Sequence, residues 1–101
     1  FLAANSIVAS GSVINSGCIV NHAAIIDHDC IIGEYSHIAP NATLGGGVSV
    51  GAQCLIGAGS IILPDIKIGN NVVIGAGSVV VKNVKDSQII VGVPGKEIRK
   101  K

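Results

Sequence analysis

Three polar residues in a row, Asp27, His28 and Asp29, interrupt the apolar stretch "AIIDHDCII" at positions 24 to 32. An imidazole flanked by carboxylates is the equipment of a general base, because the acid holds the ring and favours proton pickup. These residues alone leave open whether Asp27 or Asp29 does the orienting. A second histidine, His37, follows His28 by nine residues, and Asn21 lies just upstream. Gly46, in the run Gly45 to Gly47, stands 18 residues beyond His28 and offers a backbone N–H with no side chain over it. A base, an orienting acid and a free N–H donor could together activate an amine or hydroxyl and stabilise an oxyanion. Whether they meet depends on the fold.

The fold follows from a repeat. Every sixth residue from Val8 is aliphatic: Val8, Ile14, Val20, Ile26, Ile32, Ile38, Leu44, Val50, Ile56, Ile62, Ile68, Ile74 and Val80, thirteen positions without exception. Two residues before each comes a mostly small one, including Ser6, Ser12, Cys18, Ala24, Cys30 and Ser36. Glycine often follows the aliphatic position, as at Gly33, Gly45, Gly51, Gly57, Gly69 and Gly75, and marks the turns. A helix needs a period near 3.6, so this pattern describes a short strand and a tight corner instead. Three such units close an 18-residue coil of triangular section, and stacked coils pair as parallel strands about 4.8 Å apart. Thirteen repeats make a little over four coils, roughly 20 Å tall at that spacing.

Composition agrees with such a thin interior. Apolar residues make up 49% of the 101-residue chain but aromatics only 2%, so nothing large is present to fill a wide core. The net charge is +1, with no basic stripe and no aromatic platform, which argues against nucleic acid as a partner. No apolar run approaches the roughly 18 residues of a membrane span, and no signal-peptide pattern opens the chain. The expectation is a soluble, cytoplasmic protein. Methionine is absent even at position 1, so the chain is expected to be part of a longer protein. Cys18, Cys30 and Cys54 all take the small inward position. Cys18 and Cys54 share a face two coils apart, about 10 Å, too far for a disulfide, and all three read as buried thiols of a reducing compartment.

The residue before each aliphatic position faces outward, and adding 18 sorts these residues into three rows. One row is Ile7, Ile25, Thr43, Ile61 and Val79; a second is Ile19, His37, Leu55 and Val73; the third is Val13, Ile31, Ser49 and Lys67. Two rows are apolar enough to demand a partner, and self-association is the simplest one. His28 falls in a corner and His37 half a coil away, so within one chain the two stay apart. They meet only where a corner of one protomer faces a side of its neighbour.

With these motifs the chain resembles the hexapeptide-repeat, left-handed parallel β-helix acyltransferases over residues 6 to 83. The resemblance implies an all-β, single-stranded left-handed parallel β-helix over residues 1–83, a capping segment over 84–101, and a homotrimer. The stretch "NHAAIIDHDCIIGEYSHIAPNATLGGGVSVG" is similar, more narrowly, to the sialic acid O-acetyltransferase and amino-sugar N-acetyltransferase branch, the NeuD/PglD-like sugar acetyltransferases. In that branch the motif histidine is the general base, which falls on His28, and the acid after it supports the base, which falls on Asp29. The resemblance carries substrate and acetyl contacts onto Asn21, His37 and Gly46. It places acetyl-CoA between protomers near Ala58 and Ala76; six of the seven Lys and Arg residues fall at or after Lys82, and this charge run either attracts the phosphates of coenzyme A or only solubilises the tail. It implies no metal. Members of the branch also carry an N-terminal nucleotide-sugar-binding domain, which these 101 residues are not expected to contain. The closing "VGVPGK" has Gly95 where the family usually has alanine, a departure expected to loosen the final turn.

The function implied is acetyl transfer from acetyl-CoA to an amine or hydroxyl of a sugar. Two other functions share the fold. A γ-carbonic-anhydrase-like zinc lyase needs three imidazoles on one metal, and only His22, His28 and His37 exist, spaced for different parts of the prism. A non-catalytic scaffold of the ice-binding kind wants a threonine ladder, and the outward rows hold one threonine.

Overall fold

An aliphatic residue that must point inward every sixth position leaves room for only two extended residues before the chain has to turn. The computed structural model, which describes residues 1–100, has just such strands. In chain order they are β1 (Ile7–Val8), β2 (Val13–Ile14), β3 (Ile19–Val20), β4 (Ile25–Ile26), β5 (Ile31–Ile32), β6 (His37–Ile38), β7 (Thr43–Leu44), β8 (Ser49–Val50), β9 (Leu55–Ile56), β10 (Ile61–Ile62), β11 (Lys67–Ile68), β12 (Val73–Ile74) and β13 (Val79–Val80). Strands three apart in sequence pair in parallel with an 18-residue register, Ile7 beside Ile25 and His37 beside Leu55. Three parallel sheets result: β1-β4-β7-β10-β13, then β2-β5-β8-β11, then one that begins β3-β6-β9-β12. The three outward rows read from the sequence are these three sheets.

The interior is a column of stacked aliphatics. Val20, Ile26, Ile32, Ile38, Leu44, Ile56, Ile74 and their equivalents are fully buried, while Val8 and Ile14 of the first coil are only partly so. Each fully buried isoleucine or leucine contributes about 2 kcal/mol of hydrophobic stabilisation. All three cysteines are buried and none is in a disulfide. Burial also pushes the Cys30 thiol up, against weaker opposing hydrogen bonds, which leaves it unreactive.

The coil is left-handed, opposite to ordinary β-crossovers. That rule comes from helices packing back on a sheet, and no helix makes a connection here. Each corner instead uses a residue with φ near +60°, again at period six: Asn5, Gly11, Gly17, Ala23, Asp29, Tyr35, Asn41, Gly47, Gln53, Gly59, Asp65, Asn71 and Gly77. Glycine, asparagine and aspartate fill ten of these thirteen positions, the residues that tolerate this conformation best. The glycines just after the aliphatic residue have a different job. A Cβ on Gly57, for example, would sit 2.5 Å from the Ile74 carbonyl oxygen in the coil above.

The stack also runs past the repeat. Val84 bridges to Ile68, and β14 (Gln88–Val91) pairs in parallel with β12, setting Ile90 beside Ile74. The spacing shrinks from 18 residues to 16, which completes a fifth coil that a search at period six cannot see. Leu2 likewise bridges to Val20. These additions account for a longest dimension of 32 Å where the repeats alone suggest about 20 Å. Of the expected cap, residues 84–91 therefore build coil, and β15 (Lys96–Lys100) folds back antiparallel on β14. Lys101 lies outside the described residues. Gly95 does not loosen this turn. It is buried, donates its N–H to the Val79 carbonyl at 2.7 Å, and a Cβ there would press on Ile90 at 2.7 Å.

Candidate active site

The corner from residue 27 to 30 carries the chain from β4 to β5, out of the first sheet and into the second. Its two central residues project: the side chains of His28 and Asp29 are 61% and 71% exposed. Asp29 has φ of 58°, and this conformation turns its carboxylate back to the imidazole, with Nδ1 and Oδ2 3.1 Å apart. Asp27 is used differently, its Oδ1 accepting the backbone N–H of His28 at 2.8 Å. The choice between the two acids is thereby made. Asp29 holds the ring and Asp27 caps the turn. A carboxylate can only accept, so Nδ1 carries the proton and Nε2 is left as the basic nitrogen.

The hydrogen bond that Nδ1 donates to Asp29, then the charge of Asp27, raise the His28 pKa; desolvation opposes them, and the smaller charge effects of Asp29 and Asp65 add to the rise. Followed by NMR, His28 is expected to titrate above the ordinary imidazole value of about 6.5, and Asp29→Asn to lower its pKa. An unchanged titration in that variant would show that Asp29 does not hold the ring. Because the raised pKa belongs to the folded state, any stability from the pair is present below the unfolded value and is lost as pH rises through the folded one. The pair is exposed, so that contribution is small.

The ring leans up the stack onto Gly46, one coil above. A Cβ at position 46 would lie 2.5 Å from Nε2 and 2.6 Å from Cε1, so any larger residue there would push the imidazole out of this position. The backbone around it is engaged on both sides: Gly47 donates to the His28 carbonyl at 3.0 Å and Asp65 donates to the Gly46 carbonyl at 2.9 Å. The Gly46 N–H itself has no acceptor among the described residues. Two neighbours of this corner escaped the sequence reading. Gly11, one coil below Asp29, leaves space that a Cβ would take from the Asp29 carboxylate. Asp65, two coils above Asp29, adds its charge to the field on His28. Both stand at multiples of 18 from Asp29, a signal that stacking would have exposed.

Asn21 and His37 form a second, separate group on the third sheet. The Asn21 amide oxygen accepts the His22 N–H at 2.8 Å, which fixes the amide so that its NH₂ faces His37 Nε2 at 3.1 Å. His37 is half-buried, and Nε2 acts as acceptor, which puts its proton on Nδ1. His22 occupies the corner from the third sheet to the first. The three histidines thus sit at three different places, and among the described residues no three His, Cys, Asp or Glu side chains gather as a metal would require.

Ala58 and Ala76 lie on that same third-to-first corner. They are exposed and stacked, with Gly77 donating to the Ala58 carbonyl at 2.8 Å. Neither alanine's N–H has an acceptor among the described residues, which leaves two stacked donors on an open ledge. Lys82 lies elsewhere, on the His28 corner 54 residues on, which is three coils or about 14 Å up the stack. There it lines a cavity of about 500 Å³ with Lys85, Lys96, Gln88 and an apolar floor that includes Val80 and Ile90. In one chain, then, the residues expected to touch acetyl-CoA fall on two different corners. His28 lies outside the cavity.

The family model described as bacterial transferase hexapeptide (six repeats) matches residues 11–46 and again 47–82. The chain belongs to this family. Among solved structures, this hexapeptide-repeat protein is similar to a histidine-to-alanine variant of the GDP-perosamine N-acetyl transferase from Caulobacter crescentus, which holds CoA and GDP-perosamine. The two are 32% identical over 98% of this chain and 53% of that one, with a TM-score of 0.82. It is also similar to the acetyltransferase domain of PglB from Neisseria gonorrhoeae in complex with acetyl coenzyme A, at 29% identity over 96% and 54% of the two chains and a TM-score of 0.75. A maltose O-acetyltransferase from Clostridium difficile matches at 28% identity over 93% and 66%, with a TM-score of 0.82. The hexapeptide-repeat chain spans about half the length of the first two structures.

Proposed function

We propose that this chain transfers the acetyl group of acetyl-CoA to an amine or hydroxyl of a sugar, with His28 as general base. The observation that carries the reading is the His28–Asp29 pair lying against Gly46, whose N–H has no acceptor among the described residues. The transferase relatives, two of them with CoA or acetyl-CoA bound, support the class of reaction. In the proposed step the acceptor's nitrogen or oxygen attacks the thioester carbonyl carbon while Nε2 of His28 takes its proton. The Gly46 N–H stabilises the developing oxyanion. Collapse of the tetrahedral intermediate breaks the C–S bond, and the imidazolium returns the proton to the departing thiolate of CoA. The neutral ring is the working form, so turnover rises as pH rises through the raised His28 pKa.

The active assembly is proposed to be a homotrimer in the cytoplasm. Support for assembly comes from the exposed apolar rows, among them Ile7, Ile25 and Ile61 on the first sheet and Ile19 and Leu55 on the third. A corner of one protomer against the third sheet of the next would bring His37 and Asn21 to His28. It would also bring the Ala58–Ala76 ledge and the lysine-lined cavity around one acetyl-CoA, with the ledge amides for the pantetheine arm and Lys82 for phosphate. The three buried thiols, none in a disulfide, fit a reducing compartment.

The test is release of CoA thiol from acetyl-CoA by the purified protein, with GDP-perosamine and maltose as alternative acceptors. Acceptor-dependent release with either one is expected. No release above background with amine- or hydroxyl-bearing sugars, alongside no measurable acetyl-CoA binding, would overturn the reading.

A further inference from the structure

Some corners of this coil close on themselves. In six of the thirteen, at 3–6, 9–12, 21–24, 39–42, 57–60 and 75–78, the N–H of the fourth residue donates to the carbonyl of the first at 3.2 to 3.4 Å. The turn that carries His28 does not. There the hydroxyl of Ser12, one coil below, is inserted into the closing bond: it donates to the Asp27 carbonyl at 2.7 Å and accepts the Cys30 N–H at 3.0 Å. His28 and Asp29 are the two residues held between these anchors. Five serines occupy the small inward position, and most act otherwise. Ser6 and Ser60 bond back to their own coil at 2.7 Å, and Ser78 accepts from Gly92 at 3.1 Å. Only Ser36 repeats the insertion, at 2.7 and 3.0 Å, into the turn 51–54, which carries no candidate residue. Beside Ser12, Gly11 leaves the space into which the Asp29 carboxylate drops.

We propose that Ser12 is a positioning residue for the His28–Asp29 pair, its inserted hydroxyl propping the turn open so that the carboxylate reaches Nδ1. Without the hydroxyl, the Cys30 N–H and the Asp27 carbonyl lose their shared partner and are free to close on each other, as the corresponding groups do at 39–42 above Ala24 and at 57–60 above Ala42. That closure draws the turn together and moves the two residues inside it. The charged groups facing His28 are Asp27 and Asp29 on its own turn and Asp65 from two turns up that corner. The coil below contributes Ser10, Gly11 and Ser12, none of them charged. Ser12 acts on the imidazole through Asp29. Its bearing on turnover rests on His28 being the base; its bearing on the geometry of the pair does not.

The experiment compares Ser12→Ala, Ser36→Ala and Ser12→Cys in the full chain. Alanine already fills the inward position at Ala24 and Ala42, so the variants fold. Read by NMR, the His28 pKa of Ser12→Ala is expected to fall toward that of Asp29→Asn, while Ser36→Ala leaves His28 as in the unmodified chain. With acetyl-CoA and GDP-perosamine, Ser12→Ala is expected to lose about tenfold in kcat with little change in the KM for acetyl-CoA. Ser12→Cys is expected to recover most of both effects, because Cys18 and Cys30 at the same position reach the carbonyl one coil up at 3.0 and 3.2 Å. An unaltered His28 titration in Ser12→Ala overturns the proposal, as does an equal shift in Ser36→Ala, which would mark a general loosening of the coil. The titration decides the positioning role even if turnover proves independent of His28.

Discussion

Replacing His28 by alanine is expected to lower the proposed acetyl transfer by about a hundredfold or more, the usual scale for a lost general base. The fold should be untouched. The side chain is 61% exposed, it projects from a corner outside the aliphatic column, and its one ring partner is the equally exposed Asp29. The backbone bonds of the turn, from His28 N–H to Asp27 and from Gly47 to the His28 carbonyl, do not need the ring. Thermal unfolding and oligomeric state should therefore match the unmodified protein while kcat collapses. Binding of acetyl-CoA should persist, since the Ala58–Ala76 ledge and the lysine-lined cavity lie away from this residue. Near-full turnover by the alanine variant, measured with its true acceptor, would remove His28 from the chemistry.

Replacing Leu55 by glutamate is expected to abolish the proposed trimer, and acetyl-CoA binding with it. Leu55 lies in the third sheet between His37 below and Val73 above, and its side chain is 39% exposed in the single chain. Because it points away from the core, glutamate is tolerated by the coil itself. In an apolar seam, however, an unpaired carboxylate costs several kcal/mol, and threefold symmetry applies that cost at every interface. Sedimentation alongside an acetyl-CoA titration checks both parts. A monomer that still bound acetyl-CoA tightly would show that the site lies within one chain, contrary to the split of its residues between two corners.

What could be read without coordinates was whatever repeats. Parallel, in-register stacking turns a separation of 18 residues into a neighbour about 4.8 Å away, so a count along the chain became a map of the prism. That map placed the inward aliphatics, the three outward rows and the three cysteines. It put His28 on a corner beneath Gly46, and it stacked Asn21 with His37. It lost the fifth coil, where Ile74 pairs with Ile90 and the spacing drops to 16. It also did not show which residue past the glycines that follow the aliphatic position turns left-handed. The left-handed residue comes two places later, and at Ala23, Tyr35 and Gln53 its side chain gives no hint of the conformation.

The sequence by itself determined the coil, its core and which residues share a corner, because those follow from periodicity alone. Only the tertiary structure decided which aspartate serves the imidazole. Asp27 and Asp29 are equivalent as neighbours of His28, and they part company only through the backbone: a φ of 58° swings Asp29 onto Nδ1, while Asp27 caps the N–H. The Ser12 hydroxyl in the closing bond of that turn was equally hidden. A serine at the inward position can bond its own coil or the next, and the choice is a side-chain rotamer set by what stacks above it.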